Sequence, residues 1–571
     1  MTALVNDPAR FAADSLAAFC RANGDRVAHV PGGAVRRDPV AGRVAIVMGG
    51  GSGHHPAFAG WVGEGLADAA VCGNVFSSPS EHQILRVARA ADQGGGILFV
   101  PINYAGDILH FSAAMDALRR EGVDARMAVV ADDIASGASD VAETRRGIAG
   151  ALVVAKVAGA LAARGADLDE VERVARAAIA ATRSFGVAFS GCSLPGSEAP
   201  LFSVPDGRMA VGMGIHGEPG LAEHEIGTAD EVADVLIDGL LDERALRPGQ
   251  RVAVVVNGLG ATKYDELDLV FARVAERLED AGMQLVAPLV GEYMTSLDMA
   301  GVSVSLGYLD DELDELWRDP VDSVALSRRR VAPMAAGAAG ADVGAADVDA
   351  DEWQTPLVPG SEPSSAAARH TLRALEAAVA VLETEQAELG RIDAVAGDGD
   401  HGTGMVTGAH AARDGLAAAV DVGAGLGTAL RSAGERWSAT AGGTSGALWG
   451  AGLTAAGLSL GDADAPGAEV ICAAVEAYAD AIVSVGKGEL GDKTMVDAIV
   501  PFAEALRAAV TAGQPIVDAW RSAAAAATSA AQGTARLVPK RGRARIHEST
   551  SIGTPDAGAV SFALIVSAAL V

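Results

Sequence analysis

Arg43-Val-Ala-Ile-Val-Met-Gly-Gly-Gly-Ser-Gly-His-His-Pro56 sets an unbroken apolar run against a glycine turn. Continuous runs of this kind suit strands buried on both faces, whereas a half-exposed strand alternates polar and apolar residues. Gly96–Pro101 (GILFVP), Ala125–Val130 (ARMAVV) and Arg251–Val256 (RVAVVV) repeat the pattern, each followed shortly by Gly, Asn or Asp. Helical segments such as Gly147–Gly165 and Asp230–Leu241 lie between them. The alternation predicts an α/β fold with largely parallel sheets. In such folds ligands bind at the carboxyl ends of the strands.

The pattern stops at residues 334–364, a stretch of small and acidic residues ending among Pro356, Pro359 and Pro363. It has no hydrophobic periodicity and reads as a linker. Domains are therefore expected over 1–333 and 365–571. In the second, Ser365–Glu388, Ala409–Ala419, Ala468–Val485, Met495–Thr511 and Val517–Gln532 carry helical spacing, and strand-like runs are scarce. This half is expected to be all-α, with Ser365 as the cap of its first helix and the apolar Ala557–Val571 as a buried last helix.

Composition excludes more than it assigns. Half of the 571 residues are apolar, so the chain is globular. The formal net charge of −30 argues against nucleic acid or anionic lipid as a partner. The four cysteines are far apart, without CxxC spacing, and read as reduced thiols in a cytoplasmic protein. No run reaches the ~20 apolar residues that a spanning helix needs, and the first residues do not read as a signal peptide.

Three constellations in the first half carry chemistry. Gly51, Ser52, Gly53 and His54 follow a strand, where glycines allow backbone N–H groups close approach and Ser52 and His54 add directional hydrogen bonds. Asp107, in Asn103-Tyr-Ala-Gly-Asp107, also follows a strand and is either a helix cap or a site acid. Gly212-Met-Gly-Ile-His-Gly217 matches GxGxxG in form, but Glu218-Pro219-Gly220 follows, so no helix opens there for a dinucleotide. What remains is an accessible His216.

In the second half, Asp393, Asp398 and Asp400 put three carboxylates within eight residues. Such density requires a cation, and hard oxygen ligands suit Mg²⁺, which commonly accompanies phosphate-bearing substrates. No Walker motif is present; Gly486-Lys487 is only a look-alike. Helix N-termini after Ala441-Gly-Gly-Thr-Ser-Gly446, Gly491-Asp-Lys-Thr-Met495 and Thr554-Pro-Asp-Ala-Gly558 offer anion sites instead.

Together these residues resemble the dihydroxyacetone kinase family in its single-chain, ATP-dependent form. The resemblance covers nearly the whole chain. GGGSGH (49–54), CGNVFSSPS (72–80), NYAGD (103–107), GMGIHGEPG (212–220), NGLGAT (257–262) and YMTSLDMAG (293–301) are similar to its ketose-binding DhaK domain. DxxxxDxDHG (393–402), GGTSGAL (442–448), GDKTMVDA (491–498) and GRA (542–544) are similar to its ATP-binding DhaL domain, a helical barrel. The resemblance implies that His216 holds the ketone as a covalent hemiaminal, that Gly51, Ser52, Gly53 and His54 hydrogen-bond it, and that Asp107 is the general base. It implies Mg²⁺ on Asp393, Asp398 and Asp400. It implies an ATP pocket lined by His401, Gly402, Thr403, Gly404, Thr444, Ser445, Gly486, Thr494, Met495, Arg543, Asp556 and Gly558, and a homodimer formed through the DhaK domains.

Two departures bear on the substrate. The family commonly reads GHEPAHAG where this chain has Gly53-His-His-Pro-Ala-Phe-Ala-Gly60, and carries a substrate-contacting lysine where Ile102 stands. A branch with similar changes acts on erythrulose. The expected activity is phosphorylation of a terminal hydroxyl of D- or L-erythrulose. The alternatives are dihydroxyacetone itself, cleavage of FAD to a cyclic flavin phosphate at the same metal site, and a non-catalytic ketose sensor.

Overall fold

The structure is a computed structural model. It describes residues 4–197, 199–244, 247, 249–332, 356–397, 399–441, 443–540 and 551–570. It divides into two units, Met1–Ala341 and Asp342–Val571. Most of the expected linker lies outside the described residues.

In the first unit, the opening apolar run forms the strand Ala45–Ser52, which is buried over its first six residues. It pairs in parallel with Ala69–Val75 on one side and Ile97–Pro101 on the other, and Ile97–Pro101 pairs in parallel with Ala125–Met127. Val27–Val30 and Gly33–Arg36 complete this six-stranded sheet with antiparallel pairings. Helices Glu81–Ala91 and Ala105–Arg120 contribute Ile84, Val87, Phe111 and Leu118 to the core on one face.

The second sheet corrects the expected strand direction. Its long ladders, Arg251–Gly258 with Gly301–Leu309 and Gly301–Leu309 with Thr182–Ala188, are antiparallel. Only the short strands Gln284–Leu285 and Leu289–Gly291 run parallel to Arg251–Gly258. An unbroken apolar run reports burial on both faces and carries no information on direction. Helix Ala151–Ala163 is buried nearly all round, including Lys156, whose ammonium donates to the Leu316 carbonyl at 2.9 Å.

The second unit is helical, as expected. Its first helix, Glu362–Asp393, begins before the expected boundary. The cap is Ser361, whose hydroxyl accepts the Ser364 N–H at 3.2 Å, with Pro363 in the first turn, where a missing N–H costs nothing. Ser365 lies inside the helix and donates to the Gly423 carbonyl at 2.7 Å. Helices His401–Asp421, Leu426–Ala441, Gly443–Leu460, Ala468–Gly486, Val496–Thr511, Ile516–Gly533 and Ala557–Ala568 follow. Their core holds stacked Trp437 and Trp449, with Tyr478 and Phe562 against Trp449. Among the described residues, no helix is long and apolar enough to cross a membrane, and all four cysteines are free.

Candidate active site

The strand Ala45–Ser52 delivers its glycine turn into a crowded place. A Cβ on Gly51 would lie 2.7 Å from the Ser77 amide nitrogen, and Gly53 has φ +101°, where only glycine is at ease. The Ser52 hydroxyl donates to the Gly73 carbonyl at 2.7 Å, and the Ser52 carbonyl accepts the Phe76 N–H at 2.9 Å. The turn is thus fastened to residues 73–77. That places the Phe76 ring in stacked contact with His54, centroids 5.2 Å apart, and edge-on to His216 at 4.9 Å.

His54 is fully buried. Its Nδ1 stands 2.7 Å from the Thr295 carbonyl. His216 is held by Glu218: its Nδ1 lies 3.2 Å from Oε1, and its backbone N–H donates to Oε2 at 3.0 Å. Burial pushes the Glu218 carboxyl up, but the hydrogen bond and charge of His216 outweigh it and hold the group at about 2. A carbonyl and a carboxylate only accept, so both rings carry a proton on Nδ1. Both Nε2 atoms then present lone pairs, and they face each other at 3.1 Å. A contact this short is a hydrogen bond only when one of the two nitrogens carries a proton. Burial, and next the charge of His216, push His54 itself down to about 3.

Asp107 is the third residue of helix Ala105–Arg120 and is 4% exposed. It does not cap the helix, and its Oδ1 is buried without a partner. Burial pushes the carboxyl up to about 6, and the Ser78 hydrogen bond and His216 pull it partly back. Tyr104 packs its ring edge-on to His216, centroids 4.8 Å apart, and its hydroxyl is also buried without a partner. Behind Glu218 stands Arg146, with Nη1 3.8 Å from Oε2, itself paired to Asp133 at 2.8 Å. Ile102 is 1% exposed and packs in the apolar core. Phe58 is equally buried, and His55 is exposed.

In the second unit, Asp393 ends the first helix, and its Oδ2 accepts the Gly399 N–H at 2.8 Å. Asp400 occupies the cap position of helix His401–Asp421, and Asp398 lies outside the described residues. His401 sits 3.0 Å from the Ser561 hydroxyl; burial lowers its pKa, opposed by Asp393 and Asp400. A small cavity of about 50 Å³ is lined by Asp393, Lys493, Ser551, Thr554 and Asp556 among others. Asp556 caps the last helix through the Ala559 N–H at 2.7 Å, and burial pushes it up to about 7. Gly558 packs on Met495, where a Cβ would meet the Met495 Cβ at 3.3 Å. The Thr494 N–H is taken by Asp497 at 2.9 Å.

Other expected pocket residues lie apart from this cavity. Gly402 packs on the first helix, a Cβ there falling 2.0 Å from the Gln386 carbonyl oxygen, and a Cβ on Gly404 would meet nothing within 4 Å. Thr403 lines a separate cleft of about 450 Å³ with Glu383, Gly390 and Gly399. Thr444 and Ser445 stand in the first turn of Gly443–Leu460, and Gly486 ends Ala468–Gly486. Arg543 lies outside the described residues. Among the described residues no three carboxylate, histidine or cysteine groups converge as a metal cage. Asp393 and Asp400 nevertheless supply the hard oxygen donors that a phosphate-bridging cation takes.

The structure adds residues to which sequence reasoning assigned no role: Phe76, Tyr104, Thr295 and Glu218 in the first unit, Lys493 and Ser561 in the second. Glu218, two residues past His216, carried a usable signal. Thr295 acts through its carbonyl, which side-chain identity does not reveal.

Residues 17–325 match the Dak1 domain and residues 395–570 the DAK2 domain. The chain is 49% identical to a D-erythrulose kinase of Mycolicibacterium smegmatis, covering 99% of this chain and 97% of that one. It is 49% identical to an L-erythrulose 1-kinase of the same organism, covering 100% and 99%. The solved dihydroxyacetone kinase from C. freundii in complex with AMP-PNP and Mg²⁺ superposes with a TM-score of 0.58 at 29% identity, covering 99% of this chain and 98% of that one.

Proposed function

This chain belongs to the dihydroxyacetone kinase family, and on that premise we propose that it transfers the terminal phosphate of ATP to a primary hydroxyl of erythrulose. The observation that carries the reading is the pair of histidines with facing Nε2 atoms at 3.1 Å, beside a buried carboxylate oxygen without a partner. Two relatives at 49% identity named for erythrulose support the choice of ketose.

In this reading the ketone enters between His54 and His216. Nε2 of His216 forms a bond to the carbonyl carbon, the C=O π pair moves to oxygen, and the one proton that this reading places between the two Nε2 atoms passes to that oxygen. The product is a hemiaminal that keeps the single positive charge of the pair. A covalent link selects a ketone over the corresponding polyol and fixes its hydroxyl for transfer. Asp107 accepts the proton of the attacking hydroxyl through Oδ1, a task for which a carboxylate near pKa 6 is suited. Mg²⁺ held by Asp393, Asp398 and Asp400 would supply charge neutralisation at the phosphates. Asp556, His401 and the turn at Thr494 and Met495 line the nucleotide side. The protein is read as cytoplasmic, in keeping with its free thiols, and as a homodimer.

Steady-state kinetics on D-erythrulose, L-erythrulose and dihydroxyacetone test the reading. We expect the highest kcat/KM on one of the erythruloses, and a clearly higher value on dihydroxyacetone overturns it.

A further inference from the structure

His216 is gripped twice by one side chain. Glu218 takes the ring proton with Oε1 and the backbone N–H with Oε2, at 3.2 and 3.0 Å. The loop is shaped for this grip. Gly217 turns at φ +83° and donates to the Gly214 carbonyl at 3.0 Å, while the Gly214 N–H returns to the Glu218 carbonyl at 3.1 Å. A Cβ on Gly214 would lie 2.0 Å from Glu218 Oε2 and 2.5 Å from an Arg146 nitrogen. Only a glycine there lets the carboxylate reach beneath the histidine. Arg146 stands beside the carboxylate, its Nη1 3.8 Å from Oε2, and is fixed in turn by Asp133 at 2.8 Å and the Gly212 carbonyl at 3.1 Å.

We propose that Glu218, anchored by Arg146, is the positioning residue and counter-ion of His216: it fixes the Nδ1–H tautomer, and it faces the cation formed when Nε2 bonds to carbon. This rests on the covalent capture proposed above for its second half; the tautomer follows from the hydrogen bonds alone. The charge balance shows why a carboxylate is required. A His216 that keeps its Nδ1 proton and gains a carbon on Nε2 is an N-alkylimidazolium. In the capture proposed above, the positive charge is shared between the two rings before the addition and sits on the His216 ring alone afterwards. A fixed anion 3.2 Å from Nδ1 stabilises that charge. A neutral amide of the same shape has one oxygen for two N–H groups, so it loses that stabilisation and leaves one of the two contacts without an acceptor.

Glu218→Gln tests this in the full-length protein. Hydrogen bonds to charged groups are the strong ones, so roughly tenfold or more should be lost. We expect the ketose KM to rise by about that factor, the ketose mass increment on the intact protein in native mass spectrometry to fall with it, and both kcat and the KM for ATP to stay within about threefold. Glu218→Asp keeps the charge on a shorter arm and should fall between wild type and Glu218→Gln. ¹⁵N NMR of labelled histidine should show Nδ1–H for His216 in the wild type and a mixed tautomer in Glu218→Gln. An unchanged ketose KM with an unchanged tautomer overturns the proposal, as does a Glu218→Asp variant no better than Glu218→Gln. A wild-type enzyme that forms no adduct refutes covalent capture instead, and the tautomer then decides the positioning role: altered in Glu218→Gln it stands, unaltered it falls.

Discussion

Asp107 is a residue whose environment works against its charge. A carboxyl raised from 3.8 to about 6 by burial binds its proton more tightly in the folded chain than in the unfolded one. The resulting penalty is full above pH ~6, shrinks as the pH falls toward 4, and is absent below. At ~1.4 kcal/mol per unit it amounts to about 3 kcal/mol at neutral pH. Asp107→Asn should therefore melt higher than wild type at pH 7.5, with the gap closing toward pH 4 in calorimetry. The same variant should lose roughly 10²–10⁴ in kcat, the usual contribution of a general base. The wild-type kcat should fall as the pH drops through about 6, where the carboxyl takes up its proton. A lower melting temperature for Asp107→Asn at pH 7.5 would make the group structural. Ile102 carries a different lesson at this scale. Its difference from the family's lysine was legible, but the residue is buried in the apolar core, and a cation stands elsewhere, with Arg146 3.8 Å from Glu218.

Elements were more legible in kind than in extent. Helical spacing marked most helices of the second unit but not Leu426–Ala441, and the first one starts at Glu362 because Ser361 caps it and Pro363 fits its first turn. Ser361→Ala should cost about 1 kcal/mol, read as a lower denaturation midpoint of the second unit; no change would assign the start of that helix to packing alone. Gly402 sits where His401–Asp421 crosses the first helix, and a Cβ would fall 2.0 Å from a main-chain oxygen. Gly402→Ala should destabilise the unit by roughly 1–3 kcal/mol through overpacking. In the first unit, strand positions were readable from composition, whereas the antiparallel direction of the second sheet was not, because both directions bury the same side chains.

At the scale of the whole molecule, the two candidate sites lie on two units with separate cores. His216→Ala should abolish ketose capture while leaving Mg²⁺-dependent nucleotide binding near its wild-type value. Asp393→Asn should do the reverse, with turnover lost and the ketose adduct on His216 retained. Titration calorimetry with a non-hydrolysable nucleotide, run beside native mass spectrometry of the ketose adduct, separates the two; loss of both functions in either variant would refute this division.

The amino-acid sequence by itself determined the two-part organisation, the fold class of each part, and His216, Asp107, His54 and the aspartate cluster as the residues of interest. Those signals are local: runs, periodicities and short motifs survive reading one residue at a time. Only the tertiary structure decided how they are arranged. It set His54 and His216, 162 residues apart, Nε2 to Nε2. It gave each ring its Nδ1 acceptor, one a carbonyl from residue 295, the other a carboxylate reached through the space at Gly214. It also buried Asp107 until its pKa moved. Proton positions and pKa values depend on distance and desolvation, and those exist only once the chain has closed on itself.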